Sequence, residues 1–134
     1  MFEPERATIF LAKAIESLAG AESEFANRRF NNCANRCYYV TFQAAIAALL
    51  RQGIQSGAER TWGHSFVQAQ FAGTLVNRSK LYPAGLRDTL PQNLMLRQRA
   101  DYEEQHITEI QAQRALRHTR AFLGAVRSHG GERL

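Results

Sequence analysis

Arg97-Gln98-Arg99-Ala100-Asp101-Tyr102 sets two guanidiniums, an amide, a carboxylate and a phenol within six positions, the richest polar cluster of the chain. Guanidiniums offer a planar fork of donors that suits phosphate oxygens, so the chemistry on offer is anion recognition. Arg97 and Asp101 stand four apart and can pair across one helical turn. Arg99, Tyr102 and His106 would share a face only if the helix ran on to 106. His64 opens an earlier helix, where backbone N–H groups and the dipole favour an anion, and a protonated or donating histidine there would complement phosphate. The plainer alternatives are a helix end with solvated charges and a histidine that caps or packs beside Trp62. Other enzyme signatures are missing: no Gly-rich phosphate loop, HExxH, GxSxG or CxxC occurs. Glu103 and Glu104 are adjacent, so they point different ways and form no dyad.

The stretch Arg28–Arg51 must position this chemistry. Tyr38, Phe42, Ala45, Ile46 and Leu49 make the stripe of a helix that buries one face, and Ala44, Ala47 and Ala48 let a neighbour approach closely. Asn32, Arg36, Tyr39 and Gln43 form a polar ridge on the same helix. A first helix starts near Pro4, which suits a first turn, and reaches towards Asn27, with Gly20 weakening its middle. Asn31 or Asn32 is expected to cap the second helix, and the short link predicts antiparallel packing. Gly53–Gly63 reads as a loop. Helix three spans about His64 to Asn77, a loop follows over Arg78–Gly85, and helix four carries Leu86, Leu90 and Leu94, kinked or begun at Pro91. Thr108-Glu109-Ile110-Gln111 has capping-box spacing, which places His106 in the preceding connection. Helix five then has a core face of Ile110, Ala115, Leu116, Phe122, Leu123 and Val126, a basic stripe of Arg117, Arg120 and Arg127, and a tail from Ser128. No segment alternates like a strand. The expectation is one all-α domain over residues 1–134, an up-and-down bundle of four to five helices.

Composition sets the bounds. At 134 residues, 45% hydrophobic and 22% charged, the chain can bury a real core. No apolar run approaches a membrane span, and MFEPERATIF lacks the basic and apolar regions of a signal peptide, so a cytoplasmic location is expected. Cys33 and Cys37 lack partners with zinc-site spacing and read as buried thiols; no metal or cofactor is expected. The net charge is +5, carried almost wholly by Arg, with Lys only at 13 and 80. That balance fits a nucleotide or nucleic-acid partner, and equally a codon bias towards Arg.

Asn35 to Leu50, NRCYYVTFQAAIAALL, resembles the central helix of the HEPN domain superfamily, through Arg36, Tyr38, Tyr39, Phe42, Ala44, Ala45, Ala48, Leu49 and Leu50, with Val40 where Ala is usual. His64-Ser65 followed by Val67 and Phe71 is similar to that family's third-helix opening, and Arg97 to Tyr102 resembles its RxxADY motif. Together these span most of residues 5–127. The resemblance implies a helical bundle that commonly dimerises and partners a minimal nucleotidyltransferase, often as a toxin–antitoxin pair. It also implies two activities to weigh. Active members are metal-independent endoribonucleases with an Arg-x4–6-His motif, which Arg99 and His106 fit with six residues between; His106 would move protons while Arg99 stabilised the phosphate charge. The RxxADY subgroup instead aligns its arginine with Arg97, with eight residues between it and His106, and commonly lacks the nuclease histidine. The leading reading is therefore a non-catalytic module that binds nucleotide or RNA through Arg36, Tyr39, His64, Arg97, Asp101 and Tyr102. A scaffold bundle with no ligand is the third, and it requires the Tyr39, Arg97 and Asp101 cluster to be fully buried and mutually satisfied.

Overall fold

Helix α1 (Glu3–Ala26) and helix α2 (Phe30–Arg51) are separated by three residues, which permits only a reversal. The computed structural model describes residues 3–56 and 61–129. The turn closes because Arg28 adopts φ 61, its N–H reaching Phe25 O at 2.9 Å while that of Arg29 reaches Glu24 O at 2.8 Å. These are the two bonds of a Schellman motif, with arginine where glycine is commonest. Arg6 meets Gln55, Ser17 meets Gln43, and Gly20 faces the stem of Arg36, so the two helices run antiparallel.

Gly20 is a half-buried position inside α1, and a Cβ built there would lie 3.7 Å from Arg36 Cδ, an ordinary contact. Gly20→Ala is therefore expected to stabilise the fold by about 0.5–1 kcal/mol, because glycine loses more backbone freedom on helix formation than alanine. Urea unfolding would check it, and a loss of stability would mean that Arg36 cannot share the space.

Helix α2 is the axis of the bundle, since α1, α4 and α5 all pack on it. It is inside on most of its circumference: Cys33, Cys37, Val40, Thr41 and Ala44 through Leu50 are buried. Among the stripe residues expected in the core only Phe42 is half-buried. Each fully buried leucine, such as Leu49 or Leu50, contributes about 1.5–3 kcal/mol by leaving water. Of the expected ridge, Arg36, Tyr39 and Gln43 are half-buried and Asn32 is exposed.

Helix α3 (His64–Gln70) continues as wider π-helical turns over Phe71–Arg78, ending where the Ser79 N–H reaches back five residues to Thr74 O. A single 3-10 turn, Ala84–Leu86, interrupts the following loop. Helix α4 (Thr89–Tyr102) starts two residues before Pro91, so proline occupies the first turn, where its missing N–H costs nothing. Leu90 is helical despite preceding proline; it is 1% exposed, and its burial outweighs that local bias. Helix α5 (Glu109–His129) begins with the capping box realised in both directions. The Gln111 N–H donates to Thr108 Oγ1 at 3.1 Å, and the Thr108 N–H to Gln111 Oε1 at 2.9 Å.

Cross-helix bonds give the directions. Asn35 meets Asp101 and Cys37 meets Asn93, so α4 opposes α2; Asn31 meets Ile107 and Arg51 meets Val126, so α5 runs along with α2. Four long helices thus alternate up and down, with α3 lying between the second and third. The expected all-α bundle is the observed fold. Among the described residues, no helix is long and apolar enough to cross a membrane.

Three local expectations are corrected. Arg29, not an asparagine, stands at the N-cap of α2, and its side chain makes no capping bond. Ile110 is 60% exposed, because the inward stripe of α5 runs through Ala112, Ala115, Leu116, Thr119, Phe122, Leu123 and Val126, and Ile110 lies about 200° from Ala112 around the helix. Ser128 is helical, and the ring of His129 meets that of Tyr82 edge-on at 4.9 Å, so the helix outlasts the expected start of the tail. Residues 130–134, and 57–60 of the expected loop, lie outside the described residues.

Candidate functional site

The antiparallel crossing of α4 on α2 brings Arg97 over two neighbouring tyrosines. Its guanidinium carbon lies 5.0 Å from the Tyr38 ring centroid and 5.5 Å from that of Tyr39. From the other direction Arg36, one residue past Asn35 on α2, places its guanidinium 4.9 Å from the Tyr39 ring. Each such contact is worth about 0.5–1 kcal/mol where partly exposed. Arg36 Nε and Nη2 donate to Asn35 Oδ1 at 3.1 and 2.7 Å, and Asn35 Nδ2 donates to Asp101 Oδ2 at 3.0 Å. Asp101 in turn pairs with Arg97 Nε at 3.4 Å, without the alignment of a good hydrogen bond. Arg97 is therefore paired with the Asp101 carboxylate, while Arg36 is tied to it only through the Asn35 amide.

Helix α3 closes the side. His64 Nδ1 stands 3.2 Å from the Tyr38 hydroxyl, with the two rings 5.8 Å apart. Burial, and then the positive charge of Arg97, push the His64 pKa below its ordinary value; burial pushes the Tyr38 phenol up. Of the two states considered from sequence, His64 is thus a neutral group at physiological pH rather than a cation. A folded-state pKa below the unfolded 6.5 means that the unfolded chain takes up this proton first. Stability from this group is present above 6.5 and is lost as pH falls from there through the folded value. Urea midpoints measured down a pH series should fall more for wild type than for His64→Gln, and equal slopes would show that His64 titrates alike in both states.

Five of the residues expected from sequence, Arg36, Tyr39, His64, Arg97 and Asp101, are therefore brought into one cluster together with Asn35 and Tyr38. Asn35 carried no signal in the sequence, since only the crossing of α4 reveals its partner. Tyr38 had been assigned to the core, which it also serves. Tyr102 is different: it projects into solvent, 77% exposed.

Arg99 and His106 are not brought together within one chain. Arg99 Nε faces Glu103 at 3.7 Å and lines a 250 Å³ groove between α4 and α5 with Arg114 and His118. Helix α4 ends at Tyr102, and His106 lies in the connection, as the capping box implied. There it lines a 390 Å³ cavity with Arg28, Arg29 and Asn31. Asn31 Oδ1 accepts the Ile107 N–H at 2.8 Å, which turns its Nδ2 to His106 Nδ1 at 3.0 Å. Nδ1 is then the acceptor, and the neutral imidazole carries its proton on Nε2.

Cys33 and Cys37 are both buried and unbridged, as expected. The hydrogen bond to Cys37, with burial, pushes the Cys33 thiol up and keeps it protonated.

The fold is an antiparallel four-helix frame that carries an arginine–tyrosine cluster built from α2, α3 and α4. The HEPN domain model matches residues 7–129, and the chain belongs to the HEPN family. Comparison with curated proteins finds no match.

Proposed function

We propose that this chain is a non-catalytic module that binds nucleotide or RNA through the Arg36–Arg97 cluster. In this reading it acts as a cytoplasmic homodimer beside a minimal nucleotidyltransferase, in a toxin–antitoxin-type system. The carrying observation is the charge balance of the cluster: two guanidiniums stand 4.9 and 5.0 Å from tyrosine ring centroids, and the Asp101 carboxylate pairs with Arg97 alone. The excess positive charge and the aromatic faces suit a phosphate with a base attached. Pairing and partner rest on the likeness of Arg97 to Tyr102 to the motif of the nucleotidyltransferase-associated subgroup. The scaffold reading is weakened, because Arg97 and Asp101 keep 23% and 27% of their side chains exposed and their contact is imperfectly aligned. Fluorescence anisotropy with labelled ATP and with a short single-stranded RNA tests the proposal. Saturable binding of either is expected; a folded protein that binds neither at high micromolar concentration would sink it.

A second reading, the metal-independent endoribonuclease, draws on one observation: His106 shares its cavity with Arg28 and Arg29. Against it, Arg99 faces another groove and His106 Nδ1 is already engaged by Asn31. RNA incubated with chelator and wild-type protein should stay intact. Cleavage that disappears in His106→Ala would establish the nuclease instead.

A further inference from the structure

A separate cavity of 340 Å³ opens where the π-helical turns after α3 give way to the loop before α4, lined by Val76, Asn77, Lys80, Tyr82, Pro83 and Arg87 among others. Its walls follow from an unusual backbone. The N–H groups of Leu81 and Tyr82 both reach back to Leu75 O, at 2.9 and 3.2 Å, so the chain folds over the end of the helix. To do so Lys80 takes φ 55, a left-handed conformation that costs a non-glycine residue free energy. Tyr82 is 3% exposed and wedged between Phe71 and His129, which makes it a rigid wall; burial raises its phenol pKa to about 12.

The charges of this pocket are unbalanced. Among the described residues no carboxylate lines it, and neither Lys80 nor Arg87 has an ion pair or a side-chain hydrogen bond. Arg87 Nε is also out of reach of water with no acceptor opposite it, a state that is costly for a charged donor. The cavity at His106 differs in this respect, since its Arg28 and Arg29 pair with Glu109 and Glu24.

We propose that this pocket binds a small phosphorylated organic molecule. Lys80 and Arg87 hold the phosphate, Asn77 offers a further amide donor, and Val76, Tyr82 and Pro83 enclose the organic part. The volume suits a small ligand. Two cations in one bounded concavity match a single phosphate group, whereas a nucleic-acid strand is held by charges repeated along its length.

The test is an amide NMR titration of the full chain with phenyl phosphate, beside benzyl alcohol as the uncharged probe and a short RNA with no terminal phosphate. Phenyl phosphate at millimolar concentration should give saturable shifts at residues 76–87, whatever it does at the Arg36–Arg97 cluster, and benzyl alcohol none there. Lys80→Gln and Arg87→Gln should each weaken the binding read at residues 76–87 about tenfold or more, while Arg97→Gln, which acts on the other cluster, leaves the shifts at 76–87 in place. Lys80 is exposed, so its variant keeps the test valid if Arg87→Gln unfolds. Lys80→Gly should raise Tm by about 3 °C through relief of the left-handed strain, and still lose phenyl phosphate binding. Absence of localised shifts, binding that survives Lys80→Gln, or shifts produced by the RNA and not by phenyl phosphate would each overturn the proposal. No residue is shared with the Arg36–Arg97 cluster, so the two sites fail or stand separately.

Discussion

Asn93→Ala is expected to lower the free energy of unfolding by about 2–3 kcal/mol, among the largest losses available from a single polar side chain here. Asn93 is 2% exposed, and its amide nitrogen sits among three acceptors on two other helices. These are Thr119 Oγ1 on α5 at 2.9 Å, and Cys37 O and Thr41 Oγ1 on α2 at 3.2 and 3.3 Å. Thr41 spends its own hydroxyl proton on the α2 carbonyls, at 2.9 Å from Tyr38 O, so it is free to accept from Asn93. Removing the amide leaves the buried Thr119 hydroxyl without this partner and opens a void between three helices. Urea unfolding of Asn93→Ala, Thr119→Val and the Asn93→Leu/Thr119→Val pair separates these terms. The double variant should recover much of the loss, because replacing both partners by apolar groups leaves no orphan donor. A loss below about 0.5 kcal/mol for Asn93→Ala would mean that the crossing is set by apolar packing alone. Arg97 stands one turn beyond Asn93 on α4, so the same variant should also weaken binding at the cluster.

Asn93 also shows where the sequence stops being informative. The helices were legible because their signals are local: the Thr108–Gln111 capping box, Pro91 in a first turn, the alanine-rich stripe of α2. Asn93 and Thr119 are ordinary polar residues in a list, and only the three-helix crossing turns them into a buried hub. Ile110 failed in the opposite sense, being apolar but two residues ahead of Ala112 and so on the wrong side of the α5 stripe. Asn31 looked like a cap, yet its side chain bonds the Ile107 N–H and His106 across the bundle, a contact 76 residues away in sequence. The cluster residues were named from sequence because Arg36 and Tyr39 share a ridge and Arg97 and Asp101 share a turn. Their meeting with His64, and the separation of Arg99 from His106, depend on which face of α4 turns to α2. Helical period alone does not decide that, and the π-helical widening of Phe71–Arg78 left no mark in the sequence at all.

Arg97→Gln should weaken RNA or nucleotide binding by about tenfold to a hundredfold, the loss of one charge-assisted contact of about 1.5–3 kcal/mol. Asp101→Asn should act the other way. It removes the carboxylate that competes with the ligand for Arg97, so affinity should rise roughly two- to fivefold, as about 0.5–1 kcal/mol of attraction across a partly solvated pair is released. The opposition of sign is what separates a binding site from a scaffold. If the cluster only holds helices together, each variant breaks the same Arg97–Asp101 pair and both lower stability by a similar amount, about 0.5–1 kcal/mol for a half-exposed pair. If it binds phosphate, stability still falls in both, but affinity divides. Salt dependence gives an independent reading with RNA as the probe: losing one phosphate contact should reduce the slope of log affinity against log salt by about 0.7 in Arg97→Gln. Asp101→Asn should leave that slope unchanged or steepen it. Equal affinities and slopes for wild type and both variants would move the binding role away from Arg97 and leave the arginine–tyrosine stack as a helix-crossing device.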